Sequence, residues 1–338
     1  MIARKNKRFI VFSLITCLII IMSIFLFIGN KQDITIDNNS KFSSSSNAFM
    51  TYSDGNLSVM NPQKSKTDIY SQNNKENYSD YSVKYKNNLI YSDKDGLYID
   101  NKNTNDIIKV SDTEVSEFIV NDDVLLFTKS KNPITTLFLY HLDSGITETV
   151  NTDDGYSYQW FDLKDNILYT ASSIFSGIVT EKHRVKTYDL KTLKSTQTVD
   201  FYAEDMVDFF LCGNSVYYNE HELGYREFYK VDFTNKSTTK LFEDYFVINA
   251  VSNDDYIFYN NRYYTVALYE TTKDCEDNGI WRYDVKSGEL KKISSECVYD
   301  DLLATDNYLY CYRIDYLLPR GMANYLYKGY TLKQIPVK

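Results

Sequence analysis

Residues 253–293 read NDDYIFYNNRYYTVALYETTKDCEDNGIWRYDVKSGELKKI. Asn253-Asp254-Asp255 is turn chemistry, because Asn and Asp hydrogen-bond their own backbone and tolerate positive φ. It opens into an aromatic strand, Tyr256 to Tyr259. A long irregular stretch follows, then a second strand from Gly279 to Tyr283. Asp284-Val285-Lys286-Ser287-Gly288 turns the chain again, and Glu289 to Ile293 closes the unit as a short strand.

Most of the chain repeats this pattern. The first marker, a polar turn before an apolar strand, recurs at Lys86-Asn87-Asn88 before LIYS, Asn121-Asp122-Asp123 before VLLFT and Lys164-Asp165-Asn166 before ILYTA. It continues at Cys212-Gly213-Asn214 before SVYYN, Asn253-Asp254-Asp255 before YIFYN and Thr305-Asp306-Asn307 before YLYCY. Measured from Asn87, Asp122, Asp165, Asn214, Asp254 and Asp306, the spacings are 35, 43, 49, 40 and 52 residues. The second marker follows a strand of the form LYxxD: Tyr140 to Gly145, Tyr188 to Thr192, Tyr229 to Asn235 and Tyr283 to Gly288. Both are hairpin signals.

Each unit thus holds four short strands. Units of about 40 to 50 residues with four strands are the mark of a β-propeller. The expected fold is all-β, a seven-bladed β-propeller with units near 34–72, 81–110, 116–150, 157–199, 206–242, 247–293 and 298–335. The first unit is the poorest match, and a six-bladed ring with an N-terminal embellishment is the alternative. A pair of β-sandwiches also gives short, regularly spaced strands. Two markers alternating along the whole domain favour the propeller. No three-turn amphipathic pattern follows residue 30, which excludes α/β folds.

The strands LIYS, ILYT, VYYN and IFYN, followed by LYxxD, resemble the YWTD-type propellers of low-density-lipoprotein receptors. They are still more similar to an uncharacterised bacterial extracellular family of that type. The resemblance covers residues 48–338 and implies the fold, without a fixed activity.

Ahead of the repeats, Phe9 to Ile28 is an uncharged apolar run of 20 residues. At about 1.5 Å per residue it matches the hydrocarbon thickness of a bilayer. Arg4, Lys5, Lys7 and Arg8 precede it, so the positive-inside bias predicts a cytoplasmic N-terminus. The run is longer than a signal-peptide core and lacks a small-x-small cleavage site, which argues for an uncleaved anchor. Leu14-Ile15-Thr16-Cys17 is a loose lipobox, but 11 apolar residues follow Cys17 unexplained. The expected organisation is a basic tail (1–8), a transmembrane helix (9–28), a Ser/Asn-rich linker (29–47) and an extracellular domain (48–338). Ile34-Thr35-Ile36 is a β-like exception within the linker.

With 32 Tyr, 19 Phe and 43% hydrophobic residues, the domain has ample core. Residues beyond 30 carry 33 basic and 46 acidic groups, a net of −13. That balance argues against nucleic acid, which needs a basic footprint.

In a four-stranded meander the first-to-second and third-to-fourth turns share one edge. The second-to-third loops share the other edge with the blade links. The long stretches 172–184, 220–226, 260–278 and 313–323 belong to the second set. Long loops on a rigid scaffold commonly carry function. These hold Phe175, His221, Arg262, Tyr263, Tyr264, Arg313, Tyr316 and Arg320, residue types suited to recognition. The expected role is therefore binding or scaffolding of a protein or glycan partner at the cell surface. The alternative is a glycan hydrolase or lyase on the same scaffold.

No catalytic set stands out, so no enzyme, cofactor or metal is expected. The three histidines (141, 183, 221) lack ligand spacing, and no GxSxG or phosphate loop occurs. Thr152-Asp153-Asp154-Gly155 before Trp160 only loosely matches a sialidase Asp-box and does not recur. Of the cysteines outside the anchor, Cys275 and Cys297 are the best candidate disulfide, both expected on the long-loop edge. Cys212 and Cys311 fit buried thiols.

Overall fold

The computed structural model describes residues 50–53, 56–59 and 81–337, with short breaks in the last range, the longest at 151–154, 266–269, 272–277 and 317–326. The expected membrane span and linker lie outside the described residues. Among the described residues there is no helix, and none that could cross a membrane.

The chain forms antiparallel meanders in series. A two-stranded sheet, β1 (Met50–Ser53) and β2 (Asn56–Val59), comes first. Next are β3 (Tyr81–Tyr85), β4 (Asn88–Asp93), β5 (Gly96–Asn101) and β6 (Asp106–Ser111). The following sheet is β7 (Phe118–Asn121), β8 (Val124–Lys131), β9 (Ile134–His141) and β10 (Thr147–Val150). Then come β11 (Ser157–Lys164), β12 (Ile167–Ser176), β13 (Val179–Asp189) and β14 (Lys194–Phe201). The fifth is β15 (Met206–Cys212), β16 (Ser215–Glu222), β17 (Tyr225–Asp232) and β18 (Ser237–Tyr245).

In the sixth, β19 (Val247–Ser252) and β20 (Tyr256–Asn261) lead into a small hairpin, β21 (Tyr264–Thr265) and β22 (Glu270–Thr271). β23 (Gly279–Asp284) and β24 (Leu290–Ser294) complete that sheet. The last has three strands among the described residues: β25 (Asp301–Ala304), β26 (Tyr308–Tyr316) and β27 (Tyr327–Pro336). Gly279 must be glycine. It has φ +154°, and a Cβ there would lie 2.3 Å from the Ser294 carbonyl oxygen.

These sheets pack as propeller blades. The first strands succeed one another, β11 against β15, β15 against β19 and β19 against β25. β1 lies against both β25 and β3, joining the last sheet to the first full one.

Every apolar cluster fills the gap between two successive sheets. Val124 and Leu126 of β8 join Phe161 and Leu168 of the following sheet. Their neighbours Leu125 and Phe127 turn the other way, onto Ile90 and Ile99 of the preceding sheet. Ile257 and Tyr259 pack back onto Phe210 and Phe228, while Phe258 packs forward onto Leu302 and Leu309. A strand buried on both faces needs an unbroken apolar run instead of alternation. That requirement explains words such as VLLFT and YIFYN. It also excludes the sandwich, in which each sheet has only one packed face.

The two turn markers sit where the repeat predicts, and they touch. In three of the sheets the second turn donates a backbone N–H to the first: Leu142 to Asp123, Leu190 to Asn166 (3.0 Å) and Val285 to Asp255 (3.1 Å). One further copy escaped the sequence pattern: Leu97-Tyr98-Ile99-Asp100-Asn101 matches LYxxD with Asn in place of the final Asp, and Asn101 starts its turn.

Two of the four long loops are strands instead. β12 and β13 extend to Ser176 and from Val179, and β16 and β17 extend to Glu222 and from Tyr225. The physical reason is tertiary: cross-strand pairing continues through polar residues once the ladder has been started by the buried part of each strand.

Candidate functional site

The two edges of the blades differ in chemistry. On the short-turn edge an acidic or amide side chain accepts N–H groups inside the third-to-fourth hairpins. Asp284 Oδ1 takes Lys286 N and Ser287 N, both at 2.9 Å, and Asp232 Oδ1 takes Thr234 N at 2.8 Å and Asn235 N at 2.9 Å. The same edge is stitched blade to blade. Lys164 Nζ donates to the Gly213 carbonyl at 3.0 Å and pairs with Asp254 two blades on. Asn253 Nδ2 donates to the Thr305 carbonyl at 2.9 Å. All of this is structural.

On the way to the opposite edge, a small polar residue follows the aromatic of each second strand. It is the last letter of LIYS, LLFT, ILYT, VYYN and IFYN: Ser92, Thr128, Thr170, Asn219 and Asn260, all buried. Two of them latch the link to the next blade. Ser92 Oγ donates to the Val115 carbonyl at 3.1 Å, and Asn260 Nδ2 to the Tyr299 carbonyl at 2.9 Å.

Asn219 is different. Its Oδ1 accepts Arg226 Nη1 at 3.0 Å, and its Nδ2 is buried with no hydrogen-bond partner. Arg226 Nη1 also reaches Asp208 Oδ2 at 3.1 Å. The Arg226 side chain is 10% exposed and that of Asp208 58%. Burial pulls the guanidinium below its usual pKa, against the opposing pull of Asp208.

Strand alternation gathers these groups on one face. Phe210, Tyr217 and Phe228 pack toward the β19–β24 sheet, so Asp208, Asn219 and Arg226, each two residues away, face the same way. Asp244 of β18 stands opposite Arg226 in register. Its carboxylate accepts Tyr259 OH at 2.6 Å and Asn261 Nδ2 at 2.9 Å from the neighbouring sheet. The gap between these two sheets is thus apolar over most of its depth. At the long-loop end it becomes a polar notch of two carboxylates, one guanidinium and two amides.

A second polar group closes the same edge of the β11–β14 sheet. Asp200 takes Arg184 through two bonds of 2.6 and 2.7 Å and Lys182 at 2.7 Å. The Arg184 hydrogen bonds and its neighbouring charge hold the Asp200 carboxyl down at about 2. On the opposite face of the same strand His183 is buried, hydrogen-bonded to Ser173 Oγ at 2.8 Å and stacked on Phe201. Burial pushes its imidazole down to about 4, so it is neutral.

The expected site residues meet this picture unevenly. Phe175 falls in β12 opposite Thr180, and His221 in β16 opposite Arg226. Tyr264 falls in β21, and Tyr316 ends β26 opposite Tyr327. Arg313 is half-buried in β26 and donates to Thr331 Oγ1 at 3.3 Å. Arg262, Tyr263 and Arg320 lie outside the described residues, as do Cys275 and Cys297. His141 bonds Glu148 at 2.7 Å across its hairpin, a structural pairing. Cys212 and Cys311 are buried free thiols, with Cys212 pushed up to about 12 by burial. No cluster of metal-binding side chains occurs among the described residues.

Asp208, Asn219, Arg226 and Asp244 were missed because each reads as ordinary strand polarity. The available signal was the small polar letter closing each second-strand word.

No family model and no curated protein matches the chain. Among solved structures it is similar to the β-propeller domain of the Trilobed protease of Pyrococcus furiosus, with TM-score 0.48 and 13% identity over 68% of this chain and 73% of that one. It is similar to the acylaminoacyl peptidase of Pyrococcus horikoshii, with TM-score 0.49 and 12% identity over 70% of this chain but only 42% of the peptidase. It is also similar to oligogalacturonate lyase from Vibrio parahaemolyticus, with TM-score 0.38 and 8% identity over 73% of this chain and 86% of that one. These neighbours correct the expectation of a chain that is not an enzyme. A peptidase and a lyase are among the proteins to which the chain is similar.

Proposed function

We propose that the protein is a single-pass cell-surface module, its N-terminus cytoplasmic and its seven-bladed propeller outside, that captures a protein or glycan partner on the long-loop edge. The YWTD-like strand words belong to this proposal as its family-level part. The observation that carries it is the contrast between edges. The short-turn edge repeats one hairpin chemistry, whereas the long-loop edge holds blade-specific charged and amide groups. A repeat departs from its own pattern where function has been grafted onto it.

The test uses the full chain in lipid nanodiscs as bait for solubilised cell-envelope proteins and glycans. The triple variant Arg262→Ala, Tyr264→Ala, Arg320→Ala is expected to lose most captured material. An unchanged capture profile would sink the assignment of the face. Protease cleavage of the domain in intact cells checks its outward placement.

A further inference from the structure

Resting on that reading, the geometry points to an acid release built into the long-loop edge: the rim end of the β12–β13 hairpin, which carries Phe175, is held on its blade while His183 is neutral and leaves it when His183 takes up a proton. Ala171 and Val185 are the last residues of this hairpin in the apolar cluster shared with the β15–β18 sheet. Ser173 and His183, opposite each other in register, form the next level out and are 0% and 3% exposed. Beyond them the ladder runs on to Ser176 and Val179, and among the described residues no further member of an apolar cluster lies on it. The Ser173–His183 level therefore ties the projecting end to the blade. His183 Nδ1 is hydrogen-bonded to Ser173 Oγ at 2.8 Å, whereas Nε2 is buried without a partner. The ring lies against Phe201 and Phe209, with centroids 5.2 and 5.8 Å away.

A proton cannot be accommodated in that place. Both nitrogens of an imidazolium are donors, and Ser173 serves only one of them. The chain neighbours Lys182 and Arg184 are cations already gathered on Asp200, so a charged His183 would be the third in a row. The other titratable groups of this gap are Tyr169 on β12, Asp162 on β11, Tyr218 and Glu220 on β16, Glu227 and Tyr229 on β17, and Lys240 and Glu243 on β18. Glu181 lies two residues along its own strand, while β14 and β15 bring Phe201 and Phe209. Glu227 is engaged by Tyr229 and Lys240, and Asp162 accepts the Leu163 N–H. Burial, rather than any of these charges, holds the imidazole at about 4. The attraction of a cation for the face of Phe201 is weaker than the penalty for leaving water unpaired. Protonation thus favours the form in which His183 has left the gap, by about tenfold for each pH unit below its ordinary value of about 6.5.

The experiment follows amide hydrogen exchange of the full chain in nanodiscs at about pH 7 and about pH 5, corrected for intrinsic exchange rates. Amides of residues 174–182 are expected to lose protection about tenfold or more at the lower pH, while the buried ladders of the other blades keep theirs. His183→Gln stays uncharged and can still bond Ser173, so its hairpin should exchange alike at both pH values. His183→Phe, also uncharged, serves as the second variant should the first fail to fold. Hairpin protection unchanged at the lower pH, a loss spread evenly through every blade, or the same loss in the folded variant would each overturn the release. Capture of envelope partners, run in parallel, should fall at the lower pH in the natural chain and hold in the variant. An absence of captured partners at the higher pH would remove the binding reading alone, because the exchange result decides the release by itself.

Discussion

The two ends of a single blade gap make an instructive pair. At the short-turn end of the β15–β18 and β19–β24 interface, Cys212, Tyr217 and Tyr283 are buried in one apolar cluster. At the long-loop end the same strands present Asp208, Asn219, Arg226 and Asp244. Only a few residues separate the two along each strand. The backbone ladder is continuous across both, so the scaffold itself does not distinguish them. What differs is the constraint. The apolar end must match the neighbouring blade and is held to large side chains. The polar end faces a rim and is free to diverge once its own hydrogen bonds are met.

Three measurements would break or sharpen that contrast. Phe228→Ala empties the apolar part of the gap, where Phe228 stacks on Phe242 and touches Tyr259. Denaturant unfolding is expected to show a loss of about 3–5 kcal/mol. A loss under about 1 kcal/mol would mean the blade gaps are not the core.

The next effect is acid sensitivity at the long-loop end. His183 has its pKa depressed to about 4, so below its ordinary value the unfolded chain binds the proton that the folded one refuses. Stability should be fully present above about pH 6.5 and fall through the window down to about 4, by about 3 kcal/mol. Asp200, held at about 2, adds a separate loss only below its ordinary carboxylate range. In melting curves taken against pH, His183→Phe should flatten the upper window and leave the lower one. A wild-type protein with constant Tm from pH 6.5 to 4 would contradict the buried neutral imidazole.

The smallest effect belongs to the short turns. Asp284→Ala frees two exposed N–H groups that water can satisfy, so a loss of about 0.5–1 kcal/mol is expected. A cost rivalling that of Phe228→Ala would make the hairpins, rather than the gaps, the foundation of the ring.

Much of this fold was legible because hairpin chemistry is local. Asp284 and Asp232 close their turns with backbone groups two and three residues away, so the markers appear in the sequence at the spacing at which they act. The continuous apolar words were legible too, because burial on both faces removes alternation. The lengths of β12, β13, β16 and β17 were not, since a polar strand end is indistinguishable from a loop until its partner is present. The notch was hidden for a related reason. Its groups come from β15, β16, β17, β18 and β20, and no sequence window spans them.

The chain by itself therefore determined the four-stranded unit, its repetition and the edge on which each turn lies. Those properties follow from neighbours a few residues apart and from the period of the side chains. Only the tertiary structure decided that Asn219 gives up its latch, that Arg226 reaches across β16 to Asp208, and that a carboxylate of one blade is met by an amide of the next. Such contacts depend on which faces meet when blades pack, and that is fixed by the ring as a whole.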